Sequence, residues 1–126
     1  MDRRKTDIGR AGEFLAAYIL ETHGVEVHHV DRAGADLWCK VRDSIVTVQV
    51  KSASAPSASN KHTSVQYYTY RTQRPNADWY CFVALDRELL LMRRVGLLPS
   101  SSTRFAPAEF NEANQRRTIE EMMNSC

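Results

Sequence analysis

Apolar residues recur at helical spacing along residues 8–22, IGRAGEFLAAYILET, where Ile8, Ala11, Leu15, Tyr18 and Ile19 form one stripe. Asp7 stands where an N-cap belongs, and Gly24 where a helix stops. The period then changes to two. Residues 25–30 (VEVHHV), 35–42 (ADLWCKVR) and 45–51 (IVTVQVK) read as three strands, with Asp43-Ser44 as a tight turn between the last two. Residues 52–64, SASAPSASNKHTS, are too small and polar to build a core and read as a flexible loop. Residues 65–74 (VQYYTYRTQR) read as a short aromatic helix closed by Pro75, although so β-prone a composition leaves a strand open. Residues 79–85 (WYCFVAL) form the apolar run of a strand covered on both faces, and residues 88–95 a final strand. Pro99 and Ser100 to Ser102 mark a second loop. Residues 107–124 then read as a C-terminal amphipathic helix that uses Phe110, Ala113, Ile119 and Met122.

The order helix, three strands, helix, two strands, helix predicts an α/β fold. An antiparallel meander is followed by a helical crossover that returns the chain to the same mixed sheet. With 126 residues the chain is one domain, 1–126. A net charge of +2 does not mark a nucleic-acid binder, but the positive charge is grouped at Arg3-Arg4-Lys5, Arg93-Arg94 and Arg116-Arg117. Each group is either a contact surface or a solvated face. The three cysteines, Cys39, Cys81 and Cys126, form no C-x-x-C pair, which fits reduced thiols in a cytoplasmic setting. No apolar stretch approaches a membrane span, and the charged N-terminus is not signal-like.

Chemistry enters through the hairpin. With Asp43-Ser44 as the turn, Asp36 faces Lys51 and Trp38 faces Gln49, so alternation puts Asp36, Gln49 and Lys51 on one face. Val46, Val48, Val50 and Leu37 point the other way. On the first helix Glu13 shares its side with Gly9, Ala16, Ala17 and Leu20 rather than with polar residues. Gly9 and Gly12 each cost about 1 kcal/mol of helix propensity relative to Ala, which predicts a close approach to a strand or a ligand. A carboxylate on such a face needs a cation or a hydrogen-bond donor, and a divalent metal shared by Glu13 and Asp36 would meet that need. Mg²⁺ takes one or two carboxylates and keeps several waters, so Asp36 is its expected principal ligand and the Gln49 carbonyl a neutral one. Lys51 is placed to hold the attacking water or the charge developing on a phosphate. Each residue also has a plainer reading: a solvated Gln-x-Lys, a turn Asp, a surface Glu.

Together Gly9-x-x-Gly12-Glu13, Gly34-Ala35-Asp36 and Gln49-Val50-Lys51 resemble the PD-(D/E)xK nuclease superfamily in its Gln variant, including homing endonucleases encoded in group I introns. The likeness runs over residues 5–95. It implies a restriction-endonuclease-like αβββαβ core and a homing or phage-type endonuclease that cuts double-stranded DNA at specific sites. It also implies Mg²⁺ as cofactor, with Mn²⁺ able to replace it, held by Asp36, Gln49 and Glu13, and Lys51 assisting. Ala35 replaces the Pro of the pattern, and Gln49 replaces its acidic residue. A Holliday-junction resolvase-like nuclease and an inactive DNA-binding module remain alternatives.

Lys61 and His62 in the loop, and Gln66, Tyr70, Arg71 and Arg74 in the following segment, are the candidate DNA contacts. A chain with one active site needs a second copy to cut both strands, so a homodimer or homotetramer is expected, with the C-terminal helix either at its interface or packed on its own domain.

Overall fold

A computed structural model of the chain describes residues 3–32, 35–58, 60–73, 75–99 and 101–126. Helix α1 (Arg3–Thr22) starts earlier than the cap at Asp7 suggested, because nothing in residues 3–6 breaks a helix. It ends as expected. Gly24 adopts φ 87°, its N–H donates to Glu21 O, and the Val25 N–H donates to Leu20 O, a Schellman closure that only a residue free of Cβ crowding enters cheaply. Leu20 and Val25 then meet in the core.

The main sheet contains β1 (Glu26–Arg32), β2 (Ala35–Val41), β3 (Ser44–Ala53), β6 (Trp79–Ala84) and β7 (Leu89–Arg94), in the spatial order β1-β2-β3-β6-β7. The pairs β1–β2, β2–β3 and β6–β7 are antiparallel, and β3–β6 is parallel. The expected mixed α/β sheet with a C-terminal helix is therefore present. The crossover differs. Residues expected to form a helix are strand β5 (Gln66–Arg71), which pairs with β4 (Ser57–Ala58) and with β8 (Ser102–Phe105) in a second, three-stranded sheet. Alternation decides this: Tyr68 and Tyr70 are buried while Thr69 and Arg71 are exposed, a period of two. The stretch 52–64 correspondingly loses Ser52 and Ala53 to β3 and Ser57-Ala58 to β4.

Two cores result. On one side of the main sheet α1 (Ala16, Ile19, Leu20) and helix α2 (Glu112–Asn124; Ile119, Met122) cover Leu37, Cys39, Val48, Val50, Cys81, Val83, Leu90 and Met92. On the other side, Tyr68, Tyr70, Phe105 and Phe110 from the small sheet and the turn after it cover Tyr80, Phe82 and Leu91. Strand β6 lies between the cores and is buried at every residue. Burial raises the thiol pKa of Cys39 to about 12 and that of Cys81 well above its usual value, so both are inert core filler.

Helix α2 packs on its own domain rather than presenting its apolar stripe to a partner. Asn111 caps it, accepting from the Asn114 N–H at 2.8 Å. Its buried polar residues cover the edge strand: Gln115 Oε1 accepts from the Leu90 N–H at 2.9 Å, and Thr118 Oγ1 from the Met92 N–H at 3.1 Å. Both donors belong to fully buried residues. Gln115→Leu is expected to keep the volume but orphan the Leu90 N–H, costing roughly 1–3 kcal/mol. Urea unfolding measures this; an unchanged midpoint would show that the edge is satisfied otherwise.

Candidate active site and DNA-facing surface

The hairpin that positions the site turns at Arg42-Asp43, not at Asp43-Ser44. Val41 pairs with Ser44 and Leu37 with Val48, and Arg42 takes φ 57°, a left-handed conformation uncommon for any residue but glycine. The register is thus two residues from the expected one. A shift of two preserves parity, so Asp36, Gln49 and Lys51 still share one face; only their spacing changes, with Asp36 drawn level with Gln49. All three are half-buried, while Leu37, Val46, Val48 and Val50 are buried on the opposite side.

Three observations define the site's geometry. Asp36 Oδ2 accepts from the Val50 N–H at 2.8 Å, which fixes the carboxylate against β3 and leaves Oδ1 outside that bond. Gln49 Oε1 is buried with no hydrogen-bond partner. Parallel pairing places Gln49 beside Tyr80 and Lys51 beside Phe82, so an aromatic wall flanks the polar row. A buried amide oxygen without a donor carries a cost of about 1–3 kcal/mol unless something supplies the missing positive end.

Glu13 lies in the helix layer across the sheet. It is half-buried beside Gly12, the point at which α1 touches β3: a Cβ on Gly12 would stand 2.7 Å from Ser52 Cβ. The close approach expected of a helix glycine is therefore to a strand, one residue past Lys51. A Cβ on Gly9 would meet nothing within 4 Å. Ser52 Oγ, like Gln49 Oε1, is buried without a partner. Among the described residues no group of three or more His, Cys, Asp or Glu assembles, and the donors on this face are the Asp36 carboxylate and the Gln49 amide oxygen, which water would complete. The oxygen-rich donor set suits a hard divalent cation.

The candidate DNA contacts separate. Lys61, His62, Gln66 and Arg71 are exposed, and Arg74 lies outside the described residues. Tyr70 is no surface residue: it is 3% exposed, donates its hydroxyl to Val83 O at 2.9 Å, and burial pushes its pKa far up. The strand that replaced the expected helix turns it inward. Three of the paired arginines are engaged within the fold. Arg93 is half-buried over the Phe105 ring and donates to Met92 O, Arg94 stacks on Trp79, and Arg117 pairs with Glu121 at 2.8 Å. Burial, followed by the Arg117 charge, lowers the pKa of Arg93. Arg104, absent from the expected contacts, is exposed on β8 with its guanidinium 4.4 Å from the Tyr67 ring centre. No helix among the described residues is long and apolar enough to cross a membrane.

No protein-family model matches the chain, and no curated protein matches it. Its fold is similar to a solved structure, that of the bacterial homing endonuclease I-Ssp6803I. The two share 18% of residues at a TM-score of 0.71, over 94% of this chain and 90% of the other.

Proposed function

We propose that the chain is a metal-dependent, site-specific endonuclease of homing or phage type that hydrolyses phosphodiester bonds in double-stranded DNA. The observation that carries this reading is the unpartnered Gln49 Oε1 on the same sheet face as Asp36 and Lys51. The likeness of the fold to that of a homing endonuclease supports it. Asp36 and Gln49 would hold Mg²⁺, or Mn²⁺ in its place, with Glu13, on the far side of the sheet, outside that ligand set; when bound, that ion would polarise a phosphoryl group and lower the pKa of a water. Asp36 brings a charge already oriented by the Val50 N–H. Gln49 brings a neutral oxygen that is not spent on another bond. The Lys51 ammonium steadies negative charge on the phosphate or holds the attacking water. Tyr80 and Phe82 exclude solvent from one side.

The chain would act as a homodimer or homotetramer, since each copy brings one such site. The exposed Phe14 (57%) and Tyr18 (68%) on α1 support assembly through that helix, α2 being already committed to its own domain.

The test is cleavage of long mixed-sequence duplex DNA with Mg²⁺, beside an EDTA control and Lys51→Ala. The expected result is a set of discrete fragments, absent with EDTA and formed about a hundredfold more slowly by Lys51→Ala. Duplex that is bound but never cut, with or without metal, would overturn the enzymatic reading and favour a binding module disabled at Gln49. Cleavage of four-way junctions alone would replace site specificity by structure selectivity.

A further inference from the structure

The small sheet has an outer face that the site does not use. Its inner side, Tyr68, Tyr70 and Phe105, is locked into the second core, with Tyr68 donating to Asp86 and Tyr70 to Val83 O. That makes it a stiff platform. Pairing of Ser57 with Tyr67, Thr69 with Arg104, and Arg71 with Ser102 puts these six residues on the outer side. Two arginines are thus spaced by small hydroxyl side chains, and Arg104 is held over Tyr67 rather than free to wander.

Charge is segregated in the same sense. Residues 52–77 and 89–108, the two stretches that contribute β4, β5 and β8, contain no Asp or Glu, although the chain has 15 of them. Lys61, His62, Arg71 and Arg104 are all exposed there. The ribbon also lies next to the candidate active strand: Thr69 and Ser57 line one concavity of about 520 Å³ with Ile8, Gly9, Ser52 and Ala53.

On the strength of the DNA reading above, we propose that the outer face of β4-β5-β8 enters the major groove of duplex DNA, with Arg71 and Arg104 reading base edges. A B-form major groove, about 12 Å wide, accepts a β-ribbon, and arginine forks pair with the O6 and N7 acceptors of guanine. A-form RNA keeps its major groove too narrow for this, so duplex DNA is the partner that fits. The hydroxyls of Ser57, Thr69 and Ser102 are short enough to let the backbone close on the groove and to bond either bases or phosphates.

The experiment is selection of binding sequences from a randomised duplex pool without divalent metal, for the full chain and for Arg104→Lys, Arg104→Ala and Arg71→Ala. Arg104 and Arg71 are exposed, so folding is expected to be untouched, and circular dichroism checks it. Arg104→Lys is expected to lose tenfold or more of the preference at one or two base pairs, about as much as Arg104→Ala, while the salt slope changes by less than one. Full retention of preference by Arg104→Lys, with weaker binding to every duplex for Arg104→Ala, would reduce the residue to a phosphate contact and overturn groove readout. Variants that bind like the unaltered chain would overturn the surface assignment alone. Failure of the unaltered chain to bind any duplex would overturn the DNA reading with it.

Discussion

Gly12→Ala is expected to destabilise the chain by about 3 kcal/mol or more, a large part of the ~5–15 kcal/mol that holds a domain of this size. In an exposed helix the same change gains about 1 kcal/mol of propensity. Here the added methyl group would sit 2.7 Å from Ser52 Cβ and closer still to its Oγ. Ser52 has no long side chain to swing aside, and β3 is paired on both edges, with β2 and with β6. The helix cannot easily lift either, since Ala16 and Leu20 farther along it are fully buried. Urea unfolding of Gly12→Ala, Ser52→Gly and the double variant separates the steric term from the intrinsic ones. Ser52→Gly alone should cost roughly 0.5–1 kcal/mol for a glycine in a strand. The double variant should recover most of what Gly12→Ala loses, because it removes both atoms the methyl meets. If Gly12→Ala matches the unaltered chain, α1 does not rest on β3 at this point, and the placement of Glu13 beside Lys51's strand fails with it.

The contact also shows which features can be read from a sequence. Two glycines in an amphipathic helix announce that something comes close, and Gly12 fulfils that; they do not say what, and a Cβ on Gly9 would meet open space. Strand parity was equally legible. Asp36, Gln49 and Lys51 had to share a face in any register an even number of residues from the expected one, because the valines of β3 had to share the other. The register itself was not legible. Asp43-Ser44 carries the ordinary turn residues, whereas the observed turn places Arg42 at φ 57°, a conformation no propensity assigns to arginine.

The small sheet was hidden for a different reason. β5 contains three tyrosines in four positions, which blur a period of two. β8 has a single apolar anchor, Phe105, and exists because β5 supplies its hydrogen-bond partners from more than thirty residues away. Residues whose roles depend on such pairing, Arg104 above all, leave no local signal. Gln115 and Thr118 are the converse case. They read as the polar side of an amphipathic helix, yet they are buried because the edge of β7 presents N–H groups that only polar side chains can satisfy.

Asp36→Asn is expected to lower metal-dependent DNA cleavage by on the order of a thousandfold while leaving fold and duplex binding intact, an effect larger than the ~10–100-fold that outer-shell changes produce at metal sites. The residue has two duties that Asn separates. Its Oδ2 accepts the Val50 N–H at 2.8 Å, and an amide oxygen can do the same. The proposed metal needs the charge, which an amide lacks. Asp36→Ala removes both and should additionally cost about 1–3 kcal/mol, because Val50, at 9% exposure, is left with an N–H that water scarcely reaches. Comparing the melting temperatures and the single-turnover rates of the two variants therefore divides structural from chemical loss. Gln49→Glu in the Asp36→Asn background tests the neighbouring ligand, since the corrected register draws these two positions level on one face. Returning a carboxylate there should restore part of the rate at high Mg²⁺. Cleavage by Asp36→Asn at the unaltered rate would remove Asp36 from the metal site, and the unpartnered Gln49 oxygen would then need a different explanation.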